Sequence, residues 1–309
     1  MMDKLKRVCK RALAKFEAPK NKWTKEKLSQ SLKQSYRAFQ GRELNMDSPE
    51  LFTEKLQWYK VNYRTEDMER AVDKYLFKGY ITEKLGEGYV VPPYGAWTSV
   101  KDFARDFDKL PTSFVLKSTL QSDGKNIKII KNKELIDKKQ LFKELKSWLK
   151  VKNTLINSFC RAYHNATPRI IAEQYVEWLG EQLYDYKFFC FDGQPYCAYA
   201  AMDHFKGGVN GDDYAISFYD TSWEQMDVRY GKHVNTPIPE PPHLAEMLRI
   251  CEKLSKGFPF VRVDFFDTDE QLYVAELTFY PGGGYSPYHP VDFDRKLGEL
   301  FVLPDANLL

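Results

Sequence analysis

Cysteine is scarce in this sequence. The five residues are Cys9, Cys160, Cys190, Cys197 and Cys251, an odd count with no C-x-x-C pair. That excludes a disulfide framework or a cysteine zinc site and fits reduced thiols. Long apolar runs are missing too: none reaches the roughly 18 residues that a membrane-crossing helix needs. The basic N-terminus is not followed by the unbroken apolar stretch of a secretory signal, so a cytoplasmic location is expected. Charge of one sign is also lacking. The chain has 46 Lys and Arg against 43 Asp and Glu, a net charge of +3. The two signs interleave after residue 20, so nucleic acid is not an expected partner. The five histidines, at 164, 204, 233, 243 and 289, show no metal-ligand spacing. There is no G-x-S-x-G elbow, no Walker A loop, no internal repeat and no low-complexity tract.

What is present is a long soluble chain, 309 residues with 15% aromatics, enough for one large domain or two small ones. Residues 3–17 read as a short basic amphipathic helix, with Leu5, Val8, Ala12, Leu13 and Phe16 on one face. Such a helix either docks on the domain or makes a peripheral contact with anionic lipids. A second helix runs to about Phe39. Ser48-Pro49 reads as a helix start. A third helix is expected over Thr65 to Leu85, capped by Thr65, stopped by Gly86 and carrying Asp73 and Lys74 in its middle.

From Val90 the pattern turns mixed. Pro92-Pro93 marks a strand end or turn. Phe114–Lys117 and Asn126–Ile130 read as strands around a long polar loop. A helix over Glu134–Lys150 follows, then strands over Arg169–Tyr175 and Asp185–Phe191, with Tyr196–Ala200 pairing back. Residues 203–213 read as a Gly- and Asp-rich loop. A helix over Leu244–Lys256 ends at Gly257. Irregular alternation of helices with hairpins makes the fold class α+β rather than doubly wound.

Chemistry concentrates in the last hairpin, Phe260–Phe266 and Leu272–Leu277. Side chains alternate along a strand, so Arg262 and Asp264 share one face and Val261, Val263 and Phe265 the other. A turn centred near Glu270 places Asp264 opposite Glu276, with Thr278 on the same face. Two carboxylates across a ladder repel. A magnesium ion between them would relieve this, completed by water and phosphate oxygens. The other reading is a solvated strand face on which Arg262 pairs with Glu276. Asp185 and Lys187 share a strand face, either to reach a substrate or phosphate, or as a structural ion pair.

Taken in order, these segments resemble ATP-grasp enzymes. Arg262-Val-Asp264-Phe-Phe with Leu272-Tyr-Val-Ala-Glu276-Leu-Thr278 resembles their metal-binding hairpin. Asp73-Lys74 resembles the first phosphate lysine, and Phe114-Val-Leu-Lys117 the strand bearing the second. The Ser118–Lys125 loop, with Ser122-Asp-Gly124, resembles the phosphate loop, and Ile170-Ile-Ala-Glu173-Gln-Tyr-Val176 the adenine hinge. The runs Phe52-Thr-Glu-Lys-Leu-Gln-Trp, Leu110-Pro-x-x-Phe-Val-Leu-Lys117, Asp185-Tyr-Lys-Phe-Phe-Cys-Phe-Asp-Gly193, Phe258-Pro-Phe-Val-Arg-Val-Asp264 and Glu276-Leu-Thr-Phe-Tyr-Pro-Gly282 are similar to the TupA-like ATP-grasp family, the teichuronopeptide-biosynthesis type, over roughly residues 48–300. The chain departs from many ATP-grasp enzymes in having Ser118, not Pro, after Lys117, and Thr278 where Asn is common. Leu120-Gln121 stands where many TupA-like relatives carry His.

The resemblance implies an ATP-grasp fold with a helical N-terminal extension over 1–46 and an ATP-grasp domain over 47–309. Within the domain it implies a lid unit over about 111–178 and a metal-site unit over about 179–309. ATP and Mg2+ are the implied cofactors. Lys74, Lys117, Ser122 and Gly124 would hold phosphates. Glu173, Gln174, Tyr175 and Val176 would recognise adenine, and Glu181 the ribose. Val115, Ile171, Leu183 and Phe266 would sandwich the base. Asp264, Glu276 and Thr278 would hold the metal, with Arg262 and Lys117 catalytic and the Gly282–Gly284 backbone cradling the acceptor.

The implied activity is a carboxylate–amine ligase joining a small-molecule acid and amine, free or glycan-linked, in cell-surface polysaccharide assembly. A glycosyltransferase and a non-catalytic nucleotide-binding partner are the competing classes. The first would want a D-x-D strand end, and Asp267-Thr-Asp269 lies in a turn.

Overall fold

The computed structural model describes residues 25–119, 126–150, 160–163, 165–176, 184–202, 215–230, 236–268 and 271–307. The helix expected over 3–17, Ser122, Gly124, Glu181, Leu183 and the 203–213 loop lie outside the described residues.

Helix α1, Lys25–Gln40, turns Leu32 and Tyr36 inward, one helical turn apart, onto Leu44 and Val61. Helix α2, Phe52–Asn62, starts later than Ser48-Pro49 suggested. The Glu54 carboxylate reaches back to accept the N–H groups of Glu50 and Leu51 at 3.1 and 3.2 Å, and this fixes the first turn at Phe52. Ser48 instead closes a turn with the Asn45 side chain. Helix α2 is buried along most of its length. Phe52 meets Phe189, Phe260 and Phe301; burying such a ring contributes about 2 kcal/mol.

The single helix expected over Thr65–Leu85 is two helices, α3 over Glu66–Val72 and α4 over Leu76–Leu85. Thr65 caps the first by accepting from Met68 N–H, and Gly86 ends the second at φ 93°. The break is Asp73, whose carboxylate accepts the N–H groups of Tyr75 and Leu76 at 2.9 and 3.2 Å. A short acidic side chain competing with the helix ladder is enough to restart it. Lys74 therefore sits in the turn between the helices rather than mid-helix.

A four-stranded antiparallel sheet has the order β1-β4-β2-β3, from Pro93–Trp97 (β1), Phe114–Ser118 (β2), Ile127–Ile130 (β3) and Ile170–Gln174 (β4). Strand β1 begins where Pro92-Pro93 read as a strand end. It lies at the sheet edge, where a leading proline loses no ladder bond. Helices α5, Val100–Asp106, and α6, Lys138–Lys150, cover one face. Phe103, Leu141, Leu145 and Trp148 pack there with Phe114, Leu116, Ile170 and Ala172. The expected start of α6 at Glu134 is a separate 3-10 turn, Lys133–Leu135.

A six-stranded antiparallel sheet has the order β11-β10-β5-β6-β7-β8. Its strands are Tyr184–Phe191 (β5), Gln194–Met202 (β6), Ala215–Asp220 (β7), Gln225–Met226 (β8), Val261–Asp267 (β10) and Leu272–Thr278 (β11). Arg229–Tyr230 (β9) pairs with Tyr288–His289 (β12). Helix α7, Leu244–Ser255, brings Met247, Ile250, Cys251 and Leu254 to the core that contains Phe188, Val261, Val263 and Phe265. Helix α8, Val291–Leu300, packs on α2.

Candidate active site

Three strands of the six-stranded sheet place charged residues on its other face. Register pairs Asp264 with Glu276 on one side and with Lys187 on the other; Arg262 faces Thr278, and Lys187 faces Tyr199. The expected opposition of Asp264 and Glu276 is thus present. Nearer the turn the register shifts by one residue at Asp264/Phe265, a bulge that leaves Ala275 extra on β11. Bulges beside a site re-aim side chains.

The cations found on these carboxylates are side chains. Arg262 grips Asp264 through Nε at 2.6 Å and Nη2 at 2.5 Å, and Lys187 Nζ lies 3.1 Å from the same carboxylate. Arg262 pairs with Asp264 and not with Glu276, so the solvated-face alternative does not hold. It also donates to Tyr199 Oη and Thr278 Oγ1, both at 3.2 Å. Lys187 contacts Asp185 as well. All four charged residues are buried. Burial pushes the Asp264 carboxyl above its ordinary value, against the pull of Arg262 and Lys187. Burial alone would lower Lys187, but Asp185 and Asp264 raise it.

Glu276 is different. Its side chain is 36% exposed, and Lys74 Nζ lies 3.6 Å from Oε1. Among the described residues no group of three or more His, Cys, Asp or Glu gathers as a resident metal centre. The donor set does fit magnesium arriving with a phosphate substrate, which takes one or two carboxylates and fills its remaining positions with phosphate and water. Glu276 is the open donor, Asp264 the one across the ladder, and the Thr278 hydroxyl is linked to Asp264 through Arg262.

The second cluster lies on the four-stranded sheet. Phe114 and Leu116 face the helices, so Val115 and Lys117 face the opposite way, beside Glu173 and Ile171 of β4. Glu173 is 4% exposed. Its oxygens contact two lysines, Lys117 at 2.5 Å and Lys78 at 2.8 Å. Burial would raise this carboxyl, but Lys117 and Lys78 together hold it at about 2. Gln174 is exposed, and Tyr175 and Val176 half-buried, at the end of β4.

The segment from Asp73 to Lys78 joins the two clusters. Asp73 receives Arg169 of the four-stranded sheet's approach at 2.7 Å, Lys74 meets Glu276, and Lys78 meets Glu173 and donates to Val91 O at 2.6 Å. Sequence reasoning missed Lys78 and Arg169. Lys78 stands four residues after Lys74, a spacing that only the break at Asp73 turns toward different partners. Arg169 carries no local signal, because its partner is 96 residues away.

After Thr278 the chain makes the turn Pro281–Gly284, with Gly282, Gly283 and Gly284 at φ 57°, 63° and 73°. Glycine is needed on two counts: the left-handed backbone, and space. A Cβ on Gly282 would lie 2.4 Å from Ser286 Oγ, and one on Gly284 2.5 Å from Gln57 Nε2. Gln57 donates to the carbonyls of Gly283 and Gly284 at 3.0 and 2.8 Å, and Lys60 to Gly283 at 2.8 Å. The Phe52–Trp58 run thus secures this loop from helix α2.

The model of the TupA-like ATP-grasp family matches residues 54–302, most of the chain and both clusters. The chain belongs to the TupA-like ATP-grasp family. No curated protein matches it. Among solved structures this family member is similar to D-alanine–D-alanine ligase from Bacillus anthracis, at 18% identity and TM-score 0.40, covering 68% of this chain and 57% of that one. The same enzyme from Helicobacter pylori shows 14% identity and TM-score 0.45, covering 81% and 69%. Phosphoribosylamine–glycine ligase from Thermotoga maritima shows 14% identity and TM-score 0.37, covering 69% and 49%. The TupA-like chain spans less than two thirds of the first of these, and likenesses this slight say nothing of its substrates. Among the described residues no helix is long and apolar enough to cross a membrane.

Proposed function

We propose that this TupA-like ATP-grasp protein is an ADP-forming carboxylate–amine ligase that takes MgATP as a substrate. The observation that carries the reading is the gathering of Lys74, Arg262, Asp264, Glu276 and Thr278 about one hairpin, linked through the segment from Lys74 to Lys78 to the Lys117–Glu173 pair of the other sheet. MgATP supplies the transferable γ-phosphoryl group and a divalent charge. Glu276 and Asp264 would hold the metal. Lys74 and Lys117, both partly exposed and each held by one carboxylate, are placed to turn to phosphate oxygens.

The first step joins a substrate carboxylate oxygen to the γ-phosphorus and breaks the bond to ADP. The second joins an amine nitrogen to the acyl carbon and expels phosphate, leaving an amide and a released proton. Both steps build negative charge on oxygen and need fixed cations more than acid–base groups. Arg262 supplies one. Its two bonds to Asp264 and its bonds to Tyr199 and Thr278 fix the guanidinium before substrate arrives. The Gly282–Gly284 turn follows directly and offers backbone to the acceptor.

An amino acid joined to a uronic acid or to another amino acid, in assembly of a cell-surface polysaccharide in the cytoplasm, is the substrate class proposed. The test is incubation of the protein with MgATP, amino-acid mixtures and uronic acids, following ADP and phosphate. Release that depends on both acid and amine supports a ligase. Absence of nucleotide binding by calorimetry sinks the reading.

A further inference from the structure

Glu173 sits where the nucleotide reading puts the adenine amino group, yet both its oxygens are engaged by ammonium groups. The two lysines differ. Lys117 lies on β2 with a side chain 26% exposed, at the mouth of the phosphate loop. Lys78 lies on α4 with a side chain 10% exposed, and it is also tied to Val91 O. Lys117 is partly exposed and held by one carboxylate; Lys78 is buried and held by two partners. On nucleotide binding Lys117 would turn to the phosphates, removing one of two counter-charges from a carboxylate that water scarcely reaches.

A buried carboxylate left alone takes up a proton. The protonated form donates a hydrogen bond, whereas the ionised form only accepts. Adenine presents an amino group at its position 6, and guanine a carbonyl. The protonation state of Glu173 therefore decides whether a guanine carbonyl meets a donor or a charged acceptor, while the ionised form is the stronger acceptor for the adenine amino group. Among the described residues the charged groups that act most strongly on Glu173 are Lys117 of β2 and Lys78 of α4.

We propose that Lys78 is a positioning residue that sets base selectivity: it keeps Glu173 an acceptor-only carboxylate after Lys117 leaves for the phosphates, so that adenine is taken and guanine refused. This rests on the nucleotide reading of the site. Lys78 touches no part of the nucleotide in this scheme; it acts through Glu173 and through the anchor to Val91.

The experiment is calorimetric titration of the full chain with MgATP and with MgGTP between pH 6 and 9. The wild type should prefer MgATP, with an affinity that Glu173 leaves independent of pH across this range. Lys78→Met should cut the ATP-to-GTP preference at least tenfold at pH 7. Its MgATP affinity should rise with pH as Glu173 loses its proton, and its MgGTP affinity should fall. Lys78→Arg, which retains the charge, should restore most of the preference. If Lys78→Met does not fold, Lys78→Gln carries the same test, since an amide can donate to Val91 and Glu173 but brings no charge. An unchanged preference, or a preference lost with no pH dependence, overturns the proposal while leaving the ligase reading intact. Failure of the wild type to bind MgATP overturns both.

Discussion

Glu173→Gln tests the electrostatics of the cleft without any ligand. In the folded protein Lys117 and Lys78 hold the Glu173 carboxyl at about 2, against an ordinary value of 4.5. A shift of roughly 2.5 units corresponds to about 3 kcal/mol of folding stability at neutral pH. The group is nearly inaccessible to solvent, so little of this is screened. The sign follows from the direction. A depressed carboxyl contributes fully above its unfolded value and loses the contribution as pH falls from about 4.5 toward 2. The glutamine amide keeps the shape but leaves Lys78 and Lys117 facing each other with no counter-charge. Urea unfolding followed by tryptophan fluorescence at intervals from pH 7 to pH 3 gives the comparison. The expected result is a wild-type advantage of about 3 kcal/mol that is flat above pH 5 and narrows below it. A gap that stays constant to pH 3, or widens in acid, refutes the ion-pair account of Glu173.

Three other perturbations separate the forces at work. Gly298→Ala should destabilise by at least ~2 kcal/mol in thermal unfolding, although alanine is the better helix former, because its Cβ would meet Glu50 O at 2.1 Å. Lys60→Met should leave helix α2 folded and raise hydrogen exchange over 281–286 by about tenfold, because the Gly283 carbonyl loses its 2.8 Å donor; unchanged exchange would show that Gln57 alone fixes the loop. Thr278→Val removes the hydroxyl that accepts from Arg262 and should lower ADP release by about 10-fold or more, while Thr278→Asn restores a polar oxygen and should recover it.

The pairing of Asp264 with Glu276 was legible in the sequence because strand alternation and a short turn leave few registers. The bulge beside it was not, since nothing in the alternation marks Ala275 as extra. The α+β class followed from the hairpins, and the β5–β6 turn from Asp192-Gly193, both at positive φ. The helix break at Asp73 was missed because its local pattern remains helical. The carboxylate that interrupts it is also held by Arg169, a tertiary contact. Strand β1 went unread because its ladder partner β4 lies far along the chain, and helix α5 and strand β7 because each is short, seven and six residues. Lys78 was the largest omission, and only the meeting of α4 with the four-stranded sheet reveals it.

The claim that Asp264 and Glu276 serve a nucleotide-borne magnesium is tested most directly at Glu276, because its half-exposed side chain can be changed without disturbing the buried Arg262–Asp264–Lys187 cluster. The measurement is calorimetric titration of ATP into the wild type and into Glu276→Gln, with magnesium and with a chelator in its place. The account predicts that magnesium strengthens binding at least tenfold in the wild type and that Glu276→Gln abolishes most of that gain. An equal gain in both proteins would contradict it.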